Sequence, residues 1–224
     1  MKIDILTLFP EMFEGFINTS IIKRAINKGK LEVNLINFRD YSPLNNKQVD
    51  DTPYGGGAGM ILRCEPIFAC LDSIDKSDAY IILLSPEGTK YKQVVAKRLK
   101  DHKHLIIICG HYEGFDERIK TLVDEVISIG DYILTGGEIP AMAITDSIAR
   151  LLPDVITKAS LEEESFNDNL LDYPTYTKPA EYRGLKVPDV LISGNHKLIN
   201  EYRKEKKIEK TKTLRPDLME EKDD

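Results

Sequence analysis

YIILLSPEGTKYKQVVAKRLKDHKHLIIIC, residues 80–109, is the stretch that decides the fold class. Residues 80–84 and 105–109 are continuous apolar runs of strand length, typical of strands that are buried on both faces of a parallel sheet. Between them, residues 91–100 show the apolar spacing of a helix, so the unit is strand–helix–strand. The sequence therefore predicts an α/β fold with a mostly parallel sheet.

Regular patterns continue on both sides of this unit. They predict strands at residues 2–8, 31–38 and 125–130, and helices at residues 21–28, 115–123 and 141–152. Beyond residue 152 the apolar periodicity weakens over about 25 residues, a loop length that compact domains normally contain only for a function. We predict a main domain over residues 1–153, an acidic linker over 154–177 and a small helical C-terminal domain over 178–224.

Composition indicates a globular protein rather than a membrane or disulfide-rich one. The 224 residues are 42% hydrophobic and 30% charged, and the three cysteines lack C-x-x-C spacing. No apolar run is long enough for a transmembrane helix and no signal peptide is recognisable, so we expect a cytoplasmic protein without a membrane partner. His102 and His104 lie in a charged segment typical of a solvated helix end, and no protein metal site is expected.

The net charge of −6 conceals an asymmetry along the chain. Residues 178–215 contain eleven Lys or Arg and five Asp or Glu, whereas residues 154–173 contain six acids and one lysine. A basic segment of this kind is typical of nucleic-acid binding, and a solvated helix at the end of a chain has the same composition.

Three glycine-containing segments with acids follow predicted strands. They are SPEG (85–88), GHYEG (110–114) and SIGDYILTGGEIP (128–140), of which residues 128–134 read as the end of a buried strand. Ligands of open α/β sheets bind beyond the carboxyl ends of the strands, and glycine allows close approach of the backbone. We expect one pocket that suits an uncharged or cationic ligand, because these segments contain no Lys or Arg. Their acids are Glu87, Glu113, Asp131 and Glu138.

Nucleotide-phosphate signatures are not matched. Met60 breaks a G-x-G-x-x-G pattern at its last position, and Gly88-Thr89-Lys90 inverts the order that a P-loop needs. A phosphate cradle is therefore not predicted.

Six segments resemble, in order, the motifs of the bacterial tRNA (guanine-N1)-methyltransferase family of the SPOUT superfamily. They are PYGGGAGM (53–60), LSPEGTKYKQ (84–93), CGHYEGFDER (109–118), SIGDYILTGGEIPAM (128–142), LLDYPTYTKP (170–179) and SGNHKLINEYR (193–203). The resemblance covers essentially the whole chain. It implies a SPOUT-type α/β domain with a deep trefoil knot, which general topology rules disfavour, and a small helical C-terminal domain.

The resemblance also implies a cofactor, S-adenosylmethionine, bound by the main domain. This cofactor has no phosphate and contains a sulfonium and an ammonium group, in agreement with acidic loops that lack a basic clamp. The matching positions for cofactor binding are Ser85, Pro86, Glu87, Gly88, Gly110, Tyr112, Glu113, Gly114, Ile129, Gly130, Asp131, Tyr132, Ile133, Leu134, Gly136, Gly137 and Pro140.

The implied reaction transfers a methyl group to ring nitrogen 1 of the guanine directly 3′ of the tRNA anticodon, position 37. This nitrogen must lose a proton, and a positioned carboxylate base would contribute roughly 10²–10⁴-fold. An arginine beside the guanine carbonyl would stabilise its negative charge. The family's arginine matches Arg150, and its aspartate before Ser-Phe is replaced by Glu164, with Glu163 and Asp168 as competitors.

The resemblance further implies a homodimer, in which the linker orders over the active site of the other subunit. It also suggests tRNA contacts for the basic segment. The substrate-binding candidates are Asp50, Asp168, Arg203 and Lys204. Magnesium is a candidate ion because the family depends on it, although the sequence has no carboxylate cluster for a dedicated protein cage.

Other interpretations remain open from the sequence. A SPOUT enzyme acting on ribosomal RNA would share the knot loops but not the GNHKLINEYR segment. A non-catalytic RNA-binding protein would need the basic segment but not an intact cofactor pocket. Cofactor binding therefore distinguishes a methyltransferase from such a protein. A small-molecule methyltransferase would leave the basic segment unexplained.

Overall fold

The computed structural model describes residues 1–157, 160–161 and 164–220, and the chain forms two compact units, Met1–Ile156 and Thr157–Asp224. The strands of the first unit are β1 (Lys2–Thr7), β2 (Glu32–Asn37), β3 (Asp50–Asp51), β4 (Ile61–Leu62), β5 (Ala79–Lys90), β6 (His104–Ile108) and β7 (Glu125–Ser128). Its main sheet has the order β2-β1-β6-β5-β7, and each neighbouring pair is parallel. The α/β class with a mostly parallel sheet is confirmed, and the trefoil knot stays a prediction.

Helices cover both faces of this sheet. The α-helices of the first unit are α1 (Glu14–Ile17), α2 (Ser20–Asn27), α3 (Cys64–Ser73), α4 (Gln93–Leu99) and α5 (Glu138–Ala149). Ile82 and Leu84 of β5 pack in the core cluster shared with α2, α4 and α5, whereas Ile81 and Leu83 pack in the cluster shared with α3. Successive side chains point to opposite faces of a strand, so a strand buried on both faces has to be apolar at every position.

Two strand boundaries differ from the prediction. SPEG is not a loop, because β5 continues through it to Lys90, with a register shift against β7 between Leu84 and Thr89. The strand predicted to run to residue 134 ends at Ser128, where the Ser128 side chain bonds both the N–H and the carbonyl of Gly130. Pairing between distant segments lengthens β5, and a local turn shortens β7.

Two further local predictions differ from the structure. The helix predicted at residues 115–123 is a 3-10 helix, Glu117–Leu122, that begins where the Asp116 side chain accepts a hydrogen bond from the Arg118 N–H. His104 is not on a solvated helix end but is buried in β6, with Nε2 2.9 Å from Asp4 Oδ2. Asp4 supplies the polar partner that a buried histidine requires.

The second unit is helical with a short hairpin. Its described elements are β8 (Glu181–Tyr182), β9 (Leu185–Lys186), α6 (Asp189–Ile192), α7 (His196–Leu214) and α8 (Asp217–Glu220). Part of the predicted linker packs on α7, because the Leu171 N–H donates to Thr211 Oγ1 at 2.9 Å. The division into domain, linker and C-terminal domain at residues 153 and 177 stays a prediction. No helix among the described residues is both long and apolar enough to cross a membrane.

Candidate functional site

A cleft of about 230 Å³ lies beyond the carboxyl end of β6, between residues 84–86 of β5 and the segment that follows β7. The parallel strands direct their carboxyl ends to the same edge, which brings these segments together. Many of the residues proposed for cofactor binding line it: Ser85, Pro86, Gly110, Tyr112, Glu113, Gly114, Ile129, Gly130, Tyr132, Ile133, Leu134, Gly136, Gly137 and Pro140.

Several lining residues were missed from the sequence. They are Leu84, His111, Phe115, Ile127, Ser128 and Thr135. His111 could have been predicted, because it lies in the GHYEG segment between Gly110 and Tyr112, which were both proposed for cofactor binding. The apolar members are strand residues or their neighbours, and a sequence pattern does not distinguish a cleft wall from the core.

The proposed residues Glu87, Gly88 and Asp131 are not among the lining residues. Glu87 forms an ion pair of 2.8 Å with Lys120, whose ammonium lowers the pKa of this carboxyl from its ordinary value. Asp131 forms an ion pair with Lys90. Gly88 allows a close strand approach, because a Cβ atom there would lie 2.5 Å from the Ile127 nitrogen. These contacts give the three positions structural partners, and their role in cofactor binding stays a prediction.

A buried carboxylate connects β1, the segment after β6 and the start of α5. Glu138 is 1% exposed. Thr7 Oγ1 donates a hydrogen bond of 2.7 Å to its Oε1, and His111 Nε2 lies 3.2 Å from its Oε2. The ring of Phe9 lies 4.7 Å from the His111 ring, measured between centroids. Glu138 therefore orients His111 at the cleft wall, and Glu113 is the acid among the four that lines the cleft.

Close backbone packing joins two segments of the cleft wall, at Gly110 and Gly137. The Gly137 N–H donates to the Gly110 carbonyl at 2.8 Å. A Cβ atom at Gly137 would lie 2.7 Å from both the Cys109 Cα and the Gly110 nitrogen. Only glycine fits at this crossing between the β6 segment and the start of α5.

The glycine-rich segment 53–60 and the strand that follows it contact the GHYEG segment of the cleft wall. The Glu113 N–H donates to the Met60 carbonyl at 3.0 Å, and the Leu62 N–H donates to the Gly114 carbonyl at 2.8 Å. In the sequence, the segment 53–60 lacks a nucleotide-binding signature, and it was not assigned to the pocket. Its backbone contacts place it against the GHYEG segment.

A reactive thiol beside the cleft or a metal site would be a further source of chemistry in the described residues. Burial raises the pKa of the Cys109 thiol well above its ordinary value, so this thiol stays protonated and is a poor nucleophile. Within residues 1–157, 160–161 and 164–220, no group of three or more His, Cys, Asp or Glu side chains could hold a metal ion.

The proposed catalytic residues lie in different units. Arg150 is the C-cap of α5 in the first unit, and Glu164 is partly buried in the second. Asp168 forms an ion pair of 3.0 Å with Lys207, and Glu163 lies outside the described residues.

The proposed substrate-binding residues are also divided between the units. Asp50 belongs to β3, where its carbonyl accepts a hydrogen bond of 2.7 Å from Gln48 Nε2. Lys204 is exposed on α7, and the Arg203 guanidinium lies 4.8 Å from the centroid of the Tyr173 ring. Each of these assignments stays a prediction.

Known proteins are similar to this chain along nearly its whole length. A family profile described as tRNA (Guanine-1)-methyltransferase TrmD matches residues 1–221. Proteins named tRNA (guanine-N(1)-)-methyltransferase are similar along nearly their full length. The one from Malacoplasma penetrans (strain HF-2) is 57% identical over 98% of this chain and 97% of its own. The one from Carboxydothermus hydrogenoformans (strain ATCC BAA-161 / DSM 6008 / Z-2901) is 56% identical over 98% of this chain and 87% of its own.

A relative from Staphylococcus epidermidis (strain ATCC 35984 / DSM 28319 / BCRC 17069 / CCUG 31568 / BM 3577 / RP62A) has the same name. It is 54% identical over 98% of this chain and 91% of its own. Matches of this extent include both compact units and the cleft. The chain belongs to the tRNA (guanine-1)-methyltransferase TrmD family.

Proposed function

We propose that this chain transfers a methyl group from S-adenosylmethionine to ring nitrogen 1 of a guanine in tRNA, the guanine directly 3′ of the anticodon at position 37. The observation that carries this proposal is the cleft built by residues 84–86 of β5 and by the glycine-containing segments that follow β6 and β7, in a chain of the TrmD family. Its relatives carry the name tRNA (guanine-N(1)-)-methyltransferase, which states the methylated base and the type of RNA.

The cleft residues suit S-adenosylmethionine. The described lining includes one carboxylate, Glu113, and no Lys or Arg, which fits a ligand with positive charge and no phosphate. Gly110 and Gly137 bring the backbone close to the space that an adenine edge needs, and Ile129, Ile133 and Leu134 supply apolar contacts. When bound, the cofactor supplies a methyl carbon on a sulfonium with a neutral thioether as leaving group.

The chain's own residues have to orient the guanine and manage its proton. We assign Glu164 as the base that takes the proton from ring nitrogen 1, with Glu163 and Asp168 as alternatives. Asp168 is the weaker alternative, because its carboxylate is in an ion pair with Lys207. We assign Arg150 to the guanine carbonyl oxygen, where its guanidinium stabilises the negative charge that develops as the proton leaves.

A homodimer would complete the site. Tyr132, Ile133 and Leu134 are 55%, 82% and 36% exposed in the single chain, although they follow a core strand. Exposed contiguous apolar groups of this kind mark surfaces that another molecule covers. We propose that Arg150 and Glu164 of one subunit act at the cleft of the other, and that the first unit has the trefoil knot of the SPOUT class.

The remaining assignments follow from the substrate. The basic α7 with Arg203 and Lys204 binds tRNA phosphates, and Asp50 accepts hydrogen bonds from guanine N–H groups. Magnesium, if required, acts through RNA or acids of residues 154–177 rather than through a dedicated protein site. A cytoplasmic location follows from a tRNA substrate.

The test is methyl transfer from labelled S-adenosylmethionine to a tRNA transcript with guanine 3′ of the anticodon. A transcript with adenine at that position is the control, and a Glu164→Gln variant is assayed in parallel. Transfer restricted to the guanine transcript and reduced roughly 10²–10⁴-fold in the variant supports both the reaction and the base. An undiminished variant moves the base to another acid, whereas cofactor binding without transfer points to a different RNA substrate.

A further inference from the structure

A second cavity lies entirely within the C-terminal unit. Its volume is about 650 Å³, larger than the cleft of the α/β unit. The segment before the β8–β9 hairpin, helix α6 and helix α7 all contribute to its walls. The walls are made by Tyr173, Pro174, Thr175, Tyr176, Thr177, Lys178, Ala180, Val187, Leu191, Ile192, Ile199 and Arg203.

The lining combines aromatic rings with positive charge. Tyr173 and Tyr176 supply two rings, Lys178 and Arg203 supply two cations, and the described lining contains no Asp or Glu. Tyr176 lines the cavity and is 50% exposed, so its side chain is accessible to a ligand. Aromatic and guanidinium planes of this kind stack on the bases of single-stranded nucleic acids.

The Nε–H group of Arg203 has no hydrogen-bond acceptor among the described residues. Its Nε atom is buried, and its guanidinium lies 4.8 Å from the centroid of the Tyr173 ring. Buried donors are normally hydrogen-bonded, so each exception calls for an explanation. A carbonyl or phosphate oxygen that enters the cavity would satisfy this N–H group.

We infer that this cavity binds one unpaired nucleotide of the tRNA, with its base against Tyr176 and an oxygen acceptor on Arg203. The inference rests on the proposed function, which supplies the RNA. Charge supports a nucleotide over a protein segment, because α7 contains seven Lys or Arg and three Glu, and the cavity opens beside it. A second copy of the chain, with its net charge of −6, is a poorer match to this surface.

The test compares two tyrosines of the same unit. Tyr182 is 60% exposed, has the Arg183 guanidinium 5.2 Å from its ring centroid, and lies outside the cavity lining, so it is a matched control for Tyr176. Filter binding of tRNA at several salt concentrations should show affinity weakened about 5- to 100-fold by Tyr176→Ala. Tyr176→Phe, which keeps the ring, should retain the affinity, and so should Tyr182→Ala.

Salt dependence separates stacking from charge. Tyr176→Ala should leave the slope of log affinity against log salt unchanged, because a stacked ring releases no counterion. Lys204→Ala, at an exposed lysine of α7, should lower that slope by about 1. Loss of the slope in Tyr176→Ala, or equal weakening by Tyr182→Ala, would overturn the inference.

Two further measurements, one on the unsubstituted protein and one on Tyr176→Ala, complete the design. Ultraviolet crosslinking to tRNA followed by mass spectrometry should place a nucleotide on the peptide that contains Tyr173 and Tyr176, and its absence from this peptide counts against the cavity. Sedimentation of Tyr176→Ala should show the mass of the unsubstituted protein, since dissociation would indicate a protein occupant instead. If the unsubstituted protein binds no tRNA at all, the proposed function fails; if it binds and Tyr176→Ala binds equally, only the cavity assignment fails.

Discussion

Substitution of Gly137 by alanine tests whether backbone packing shapes the cofactor cleft. The added Cβ would lie 2.7 Å from the Cys109 Cα and the Gly110 nitrogen, both of which are backbone atoms that cannot rotate away. Carbon contacts are favourable only from about 3.5 Å, so the start of α5 and the segment after β6 would have to separate by about 0.8 Å. The hydrogen bond from the Gly137 N–H to the Gly110 carbonyl would lengthen with this separation.

Two effects of known scale follow. Overpacking of this kind lowers the free energy of unfolding by about 1–3 kcal/mol. A misplacement of about 1 Å can cost an enzyme about 100-fold in rate. We expect a loss of similar order, about 10- to 100-fold, in the affinity for S-adenosylmethionine. Calorimetric titration measures the affinity, and urea unfolding measures the stability.

Gly15→Ala is the matched control. A Cβ at Gly15 has no atom within 4 Å, and this position lies in α1, where alanine is the better helix former by up to about 1 kcal/mol. This variant should bind the cofactor normally. The packing argument is wrong if Gly137→Ala binds within about twofold of the unsubstituted protein and unfolds at the same urea concentration.

Two further substitutions are predicted from buried groups. Glu138→Ala removes the partner of Thr7 and His111 and should lower the free energy of unfolding, measured in urea, by about 2–5 kcal/mol. Glu87→Ala, at an exposed ion pair, is the control and should lower it by at most about 1 kcal/mol. Equal losses in the two variants would contradict the role of burial. Burial raises the pKa of Cys70 from 9.0 to about 12, so the neutral thiol contributes stability below pH 9 that is lost as the pH rises through 12. The unfolding free energy should therefore fall less between pH 8 and pH 11 in Cys70→Ala than in the unsubstituted protein, and parallel curves would refute this.

Local patterning predicted the sheet because each core strand is buried on both sides. Residues 81–84 and 105–108 alternate between two core clusters, so every position has to be apolar. These strands could therefore be predicted from their own sequences, without knowledge of the strands beside them. The same reasoning predicted that the segments after these strands would share one edge of the sheet. The structure brings most of their proposed residues together in one cleft.

Contacts between distant residues were beyond local patterning. Gly88 was proposed for cofactor binding, and only the structure shows that a Cβ atom there would meet the backbone of Ile127 in the adjacent strand. His104 was read from its charged neighbours as solvated, although its partner Asp4 lies 100 residues away in an adjacent parallel strand. The sequence does not distinguish Glu138 from Glu113, because both are acids beside glycines. In the structure Glu138 is buried against Thr7 and His111, whereas Glu113 lines the cleft.

The sequence by itself determined the α/β class, the parallel sheet, the family and the segments that form the cleft, because these depend on short-range apolar patterns and on motif order. Only the tertiary structure decided which side chains face the cleft and where a second cavity opens beside α7. It also decided which acids form ion pairs or hydrogen bonds with Lys90, Lys120, Thr7 or His111. Those outcomes depend on distances between residues far apart in the chain, and chain order does not specify such distances.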